Sequence, residues 1–252
     1  HGIFLAFTSW VGFALFGLFF SDMFVGAFTE NPLLAVPAAS YCRIVCVGSL
    51  FVFTAINAER IMQSTGNMIL PMLCALSGAI INIVLDPILI FGYLGAPAMG
   101  VTGAAVATII GQFVAMVLAL VLLFTKPFPV SIHLKGFRPA AAIIKDVYLV
   151  GLPSIVMQAV ASLLALGMNA LLIRFSVTAV AVLGVYYKVQ TFVFLPVFGM
   201  NQGLLPVLGY NYGAKNRERL RGAFAIGVSA ALVIMVFGTL IFQTFPEEIM
   251  GL

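Results

Sequence analysis

Charged side chains are scarce in this sequence of 252 residues, at 8% of the total, whereas a soluble globular domain averages about 25%. Hydrophobic residues make up 63% and the mean hydropathy is +1.18. So few charges exclude an ordinary soluble domain, and the pI near 9.1 then indicates basic membrane-flanking loops rather than a nucleic-acid partner. The composition predicts a polytopic membrane protein embedded in a lipid bilayer.

Enzyme signatures are also missing. The sequence has no H-E-x-x-H, G-x-S-x-G, P-loop or G-x-G-x-x-G pattern, so we predict no enzymatic activity, no cofactor and no metal site. Cys42 and Cys46 are four residues apart on one predicted helix, a poor geometry for a disulfide. The first residue is His1 and no secretory leader pattern follows it, so we interpret the sequence as an internal segment or a chain whose start is missing.

Long apolar runs dominate what is present. A helix needs about 20 apolar residues to cross a bilayer, and seven runs qualify, so we predict an all-α fold with seven membrane-spanning helices. The longest polar connector, 126–146, separates a part with four helices, 1–132, from a part with three, 133–252. The predicted spans are roughly 2–21, 37–58, 69–92, 101–125, 147–173, 178–206 and 222–245.

Basic residues predict the orientation of these helices. Nine of the 12 lie in the connectors after the second, fourth and sixth spans, whereas the alternate connectors hold mainly acidic residues. Because basic loops stay cytoplasmic, connectors 59–67, 126–146 and 209–221 are predicted to face the cytoplasm. The nine are Arg60, Lys126, Lys135, Arg138, Lys145, Lys215, Arg217, Arg219 and Arg221.

One acidic residue lies deep inside an apolar run. Asp86 follows Asn82 by four residues, so both are on one helical face, and Pro87 predicts a kink next to them. A charge at the bilayer centre costs about 2.5–3.5 kcal/mol even on the lenient scale. Asp86 is therefore either a functional acid that carries a proton across, or a structural acid bonded within the helix bundle.

One basic residue, Lys188, is well inside another span. It either extends its amine to the outer interface or pairs with Asp86, since both are expected in the outer half of the membrane on different parts of the chain. Other polar side chains in spans either bond between helices or line a substrate cavity, and Tyr187 could face a cation through its ring. The uncharged candidates are Gln158, Asn169, Gln190, Asn201 and Gln202.

Two longer stretches resemble the multidrug and toxic compound extrusion (MATE) transporters. One runs from Glu59 through Asn82, Asp86 and Pro87 to Gly92, and the other from Gly184 through Pro206 to Ala214. The resemblance implies a twelve-helix transporter of two lobes, of which this chain is similar to helices three to nine. It also implies a monomer in the bacterial plasma membrane that exports organic cations in exchange for H⁺ or Na⁺ by alternating access.

The resemblance also changes how Asp86 is interpreted. Some of the family's best-known coupling carboxylates lie on helices that this chain lacks. Others lie on the family's seventh helix, which corresponds to residues 147–173 here, and that stretch holds no acid. Asp86 is therefore interpreted as a cavity or gating residue rather than the coupling site. A parallel repeat is suggested by the similarity of residues 15–24 to residues 236–245. The alternatives are a lipid-linked oligosaccharide flippase of the same superfamily, and an intramembrane enzyme or assembly subunit without transport.

Overall fold

The computed structural model describes residues 1–28, 31–128, 138–172 and 174–244, without the side chains of 177–181. Within these ranges the chain is helical apart from short turns, which confirms the predicted all-α class. Seven of its helices are long and apolar enough to cross a membrane. The helices are α1 (Gly2–Phe19), α2 (Ser21–Gly26), α3 (Pro32–Ser64), α4 (Ile69–Phe91), α5 (Val101–Thr125), α6 (Ala141–Leu172), α7 (Val177–Gly213) and α8 (Arg217–Thr244).

Several helices extend beyond the apolar runs. α3 begins at Pro32 because the Asn31 side chain accepts a hydrogen bond from Leu33 N at 3.1 Å and caps the first turn. It continues to Ser64, so Glu59 belongs to a helix and not to a connector. α7 likewise runs through Pro206 to Gly213. Polar residues at a helix end keep their backbone bonds after the helix leaves the apolar layer, so hydropathy alone underestimates helix length.

The predicted connectors are correspondingly shorter. Residues 59–64 and 209–213 are helical, and α8 already begins at Arg217. The connector 126–146 includes 129–137, so Lys135 lies outside the described residues. The cytoplasmic orientation of these connectors stays a prediction.

A short helix, α2, was not predicted. The backbone leaves the α1 helix at Phe20 and re-enters helical geometry at Ser21. Asp22 on α2 accepts a hydrogen bond from the Arg43 guanidinium at 2.7 Å. This pair explains why α3 tolerates an arginine in an apolar run near its start.

The chain comprises two compact units, His1–Arg138 and Pro139–Leu252. Their assignment to two lobes, divided at residue 132, stays a prediction, and that position lies outside the described residues. In the first unit α3 packs against α1, α4 and α5. Its buried apolar cluster contains Ala58, Met62, Cys74, Ala119 and Leu123.

Small residues allow close helix packing in both units. Gly17 of α1 packs against Cys46 of α3, and Gly238 of α8 packs against Val193 of α7. Gly17 and Gly238 are equivalent in the similarity between residues 15–24 and 236–245. The two similar stretches therefore use the same glycine for a helix contact, although the contacted partners are different.

Candidate functional site

A tight hairpin aligns α4 and α5, which carry the main polar cluster of the first unit. α4 is capped at its C-terminus by Gly92, whose φ of 78° is left-handed and favours glycine. After the turn, Met99 N donates to Leu89 O at 2.9 Å and Gly100 N donates to Ile90 O at 3.2 Å. These bonds fix the register of the two antiparallel helices.

Two glycines bring α4 and α5 into backbone contact. A Cβ added to Gly78 would lie 2.9 Å from the Gly111 carbonyl oxygen, and one added to Gly111 would lie 2.6 Å from that of Gly78. Asn82 follows Gly78 by one turn, and Thr108 precedes Gly111 by about one turn. The close approach therefore puts these two polar side chains opposite each other.

Asn82, Asp86 and Thr108 form a hydrogen-bonded cluster. The Nδ2 of Asn82 donates to Asp86 Oδ1 at 3.2 Å and to Thr108 Oγ1 at 3.5 Å. The Thr108 hydroxyl donates to the Ala104 carbonyl at 2.9 Å, which leaves its oxygen able to accept from Asn82. All three side chains are half-buried. Asn82 and Asp86, which were predicted to share one helical face, are thus directly hydrogen-bonded. α4 runs through Pro87 as one continuous helix.

A cavity of about 320 Å³ with a mostly apolar wall adjoins this cluster. It lies between α3, α4 and α5, and Asn82 and Thr108 are part of its wall. The other polar wall residues are Glu59 of α3 and Gln112 of α5. The Oε1 of Gln112 is buried without a hydrogen-bond partner among the described residues. The remaining wall is made of alanine, glycine, valine and isoleucine.

The second unit has a cavity of about 520 Å³ with a mostly apolar wall between α7 and α8. Its wall includes Tyr186, Gln190, Phe194, Met235 and Phe242. Of the residues predicted for a substrate or ion pathway, Gln190 is the one on this wall. Tyr187 is half-buried, and its ring centroid is 5.8 Å from that of Tyr186.

The other predicted residues are distributed over the surface of the second unit. Lys188 is exposed on α7, in the unit that does not contain Asp86, so the predicted Asp86–Lys188 pair stays a prediction. Four further side chains are exposed within this unit, and their role in a pathway also stays a prediction. They are Gln158, Asn169, Asn201 and Gln202.

Three residues of the polar region were not predicted. Glu59 was assigned to a connector because Arg60 beside it ends the apolar run. Counting the helix onward to Gly66 would have placed it on α3. Thr108 and Gln112 are four residues apart on α5, and that spacing was the available signal. Neither Thr108 nor Gln112 is charged, so neither lowers the mean hydropathy of the α5 sequence enough to be noticed in an apolar run.

Comparisons with family models and with known proteins indicate the same family. The MatE family model matches residues 1–88 and 153–252. The multidrug export protein MepA of Staphylococcus haemolyticus is 27% identical over 218 residues, which cover 83% of this chain and 47% of that protein. The chain therefore spans about half the length of the curated relatives it matches.

Solved structures give the same result for the fold. The MATE multidrug transporter DinF-BH, solved with a bound ligand, is 32% identical, with a TM-score of 0.84 over 98% of this chain and 55% of its own. A transporter of the MOP superfamily from Pyrococcus furiosus is 26% identical, with a TM-score of 0.88 over 98% of this chain and 54% of its own. That structure was described as having a binding pocket of reverse polarity that suggests a different function.

Proposed function

This chain belongs to the MatE family, and we propose that it forms part of a secondary active transporter that exports organic cations in exchange for H⁺ or Na⁺. It is a multi-pass protein of the bacterial plasma membrane and not an enzyme. The complete transporter acts as a monomer, by alternating access between the two sides of the membrane.

The observation that carries this proposal is the Asn82–Asp86–Thr108 cluster. An ionisable residue inside a membrane helix is expensive and marks an ion or substrate pathway by default. The bond from Asn82 Nδ2 to Asp86 Oδ1, at 3.2 Å, orients the carboxylate without neutralising it. Asp86 can therefore attract a cation and release it again. We assign Asn82, Asp86 and Thr108 to the ion pathway.

The apolar cavity between α7 and α8 supports an organic substrate. Aromatic faces attract organic cations, and methionine adapts its shape to different ligands. The wall offers Tyr186, Phe194, Phe242 and Met235, together with the amide of Gln190. We propose that Gln190 and Tyr187 act on the substrate side of the pathway. Five further residues are assigned to the same pathway from their predicted positions in the membrane spans alone. They are Lys188, Gln158, Asn169, Asn201 and Gln202.

Cavity charge favours a drug exporter over an oligosaccharide flippase. A flippase for an anionic lipid-linked sugar needs a cavity rich in lysine and arginine. The walls of the two cavities described above contain one carboxylate, Glu59, and no lysine or arginine. This distribution attracts cations rather than diphosphates.

Transport in vesicles tests the proposal. The complete transporter is reconstituted into proteoliposomes, and uptake of the organic cation ethidium is followed after a pH gradient or a Na⁺ gradient is imposed. We expect uptake that depends on one of the two gradients and that falls at least tenfold in Asp86→Asn. The matched control is Asp146→Asn, because Asp146 is an exposed acid in the first turns of α6. Ethidium uptake that depends on neither the pH gradient nor the Na⁺ gradient contradicts the proposal.

A further inference from the structure

A third cavity, with basic side chains on its wall, lies at the turn that joins α7 to α8. Its volume is about 600 Å³, and Lys215 and Arg217 line it together with the side-chain amides of Asn211 and Asn216. Among the described residues, none on this wall carries a carboxyl group. The rest of the wall is formed by Tyr212, Gly213 and Leu220. Positive charge combined with several hydrogen-bond donors suits an anion that has more than one oxygen atom.

The two cations on this wall are not neutralised by nearby acids. Within the described parts of the chain, the side chains of Lys215 and Arg217 form no ion pair and no hydrogen bond. Glu218 is the one acid in the connector between α7 and α8 and the first turns of α8, and it is not on the wall. Asn216 Oδ1 accepts a hydrogen bond from Arg219 N at 3.1 Å, so the NH₂ group of Asn216 stays available. The cavity therefore keeps its positive charge and its donors for a ligand.

Lys215 occupies a backbone position that favours glycine. Lys215 N donates to Tyr212 O at 3.0 Å, and Asn216 N donates to Asn211 O at 3.0 Å. These two bonds form the Schellman pattern at the end of a helix, in which the residue at the place of Lys215 is left-handed and is usually glycine. Lys215 has a φ of 55°. The turn therefore holds a cationic side chain at a position where the backbone alone would favour no side chain.

The cavity lies within about one helical turn of the apolar parts of both helices. Leu208 ends the apolar run of α7 four residues before Tyr212, which is about 6 Å of helix. On α8, Ala223 begins the apolar run three residues after Leu220. The polar layer on each side of a bilayer is about 5–8 Å thick. The cavity is therefore expected at the level of the lipid headgroups, a level that also suits the ring of Tyr212, which is 77% exposed.

We propose that this cavity binds the phosphate headgroup of an anionic phospholipid, such as phosphatidylglycerol, in the leaflet next to the connector between α7 and α8. The guanidinium of Arg217 can donate two parallel hydrogen bonds to phosphate oxygens, and Lys215 adds a point charge. A lipid is favoured over free phosphate because both helices continue from the cavity into apolar runs, along which acyl chains can lie. A connector that only fixed the topology would need the charge but no cavity. This site does not depend on the proposed transport.

The first test compares three ligands that all contain phosphate. The complete transporter in an uncharged detergent is titrated with water-soluble dihexanoyl phosphatidylglycerol, with dihexanoyl phosphatidylcholine and with inorganic phosphate, and each Kd is measured by microscale thermophoresis. We expect phosphatidylglycerol to bind at least tenfold more tightly than either of the other two. Equal binding of the two lipids contradicts a site that selects negative charge. Inorganic phosphate that binds as tightly as phosphatidylglycerol contradicts a lipid site.

The second test locates the site. Each basic residue near an anionic membrane surface strengthens binding by a factor of about five, so Arg217→Gln should raise the Kd for phosphatidylglycerol at least fivefold. The matched control is Arg219→Gln, which removes the same charge from α8 two residues further on and is absent from the wall. We expect this control to change Kd less than twofold. Equal losses in the two variants would show a diffuse attraction by charge and overturn the site.

Lys215→Gly separates the side chain from the fold. Glycine suits the φ of 55° at this position, so the thermal unfolding midpoint of the detergent-solubilised protein should stay the same or rise. The Kd for phosphatidylglycerol should nevertheless rise about fivefold or more, because the charge is lost. Unchanged binding of phosphatidylglycerol to this variant overturns the proposed site.

Discussion

The side-chain amide of Asn82 donates to Oδ1 of Asp86 at 3.2 Å, one turn further along α4. The same Nδ2 lies 3.5 Å from the hydroxyl oxygen of Thr108 on α5. Asn82 therefore couples the orientation of the half-buried acid to the packing of two helices. A change that removes this amide should alter the acid, while the close contact of Gly78 with Gly111 still holds the two helices together.

Asn82→Leu tests that coupling, since leucine has nearly the same size and cannot donate. A hydrogen bond to a charged group contributes about 1.5–3 kcal/mol, which corresponds to a rate reduced roughly 10- to 100-fold. We expect this decrease in ethidium uptake, with a normal amount of protein in the membrane. Asn57→Leu is the control, because Asn57 donates to the Phe53 carbonyl of its own helix. Equal effects of the two changes would show that the Asn82–Asp86 bond has no special role.

Gly111→Ala should destabilise the first unit. The added Cβ would lie 2.6 Å from the Gly78 carbonyl oxygen, and such overpacking costs about 1–3 kcal/mol. Gly12→Ala is the matched control, because nothing lies within 4 Å of its added Cβ. Alanine favours helix by up to about 1 kcal/mol over glycine, so this control should be neutral or stabilising. Thermal unfolding of the detergent-solubilised protein measures both, and equal midpoints would contradict a close α4–α5 contact.

A charge exchange tests the predicted pair of Asp86 and Lys188. We expect Asp86→Lys and Lys188→Asp each to reduce transport roughly tenfold or more, since each single change would put two like charges where the predicted pair has opposite ones. The double variant should recover part of that loss. Efflux of ethidium from cells provides the measurement. If the two single variants and the exchange behave alike, Asp86 and Lys188 do not interact.

Phe194→Ala should weaken substrate binding in the second unit. Its ring lines the cavity between α7 and α8, and a ring facing a cation contributes about 0.5–2 kcal/mol. We expect KM for ethidium to rise about threefold or more with little change in kcat. Phe192→Ala is the control on the same helix, because Phe192 is 81% exposed and is absent from that wall. A larger effect of Phe192→Ala would move the substrate contact to the other face of α7.

Cysteine labelling checks the predicted orientation. In a cysteine-free background, Ser64→Cys lies in the connector predicted to be cytoplasmic, and Tyr93→Cys lies in the hairpin on the other side. Ser64 is exposed and Tyr93 is 58% exposed. A membrane-impermeant reagent should label only Tyr93→Cys in intact cells and label Ser64→Cys after the cells are opened. The reverse pattern would invert the topology.

The sequence predicts the seven spans well because repeated apolar runs of membrane length are incompatible with an ordinary soluble fold. It predicts the Asn82–Asp86 contact because a spacing of four residues defines a helical face. It does not predict the partners of that face on other helices. Thr108 and Gln112 become significant only when Gly78 and Gly111 bring α4 and α5 together, and Glu59 only when α3 continues past its apolar run.

The contact of Gly78 with Gly111 also bears on how the protein can move. No side chain separates the two backbones at that point, so there is no rotamer whose change could let one helix slide past the other. α4 and α5 should therefore move as a single rigid body during transport. Asp86 and Thr108 then keep their distance in every state of the cycle, and access to them can change only through the helices that surround this pair.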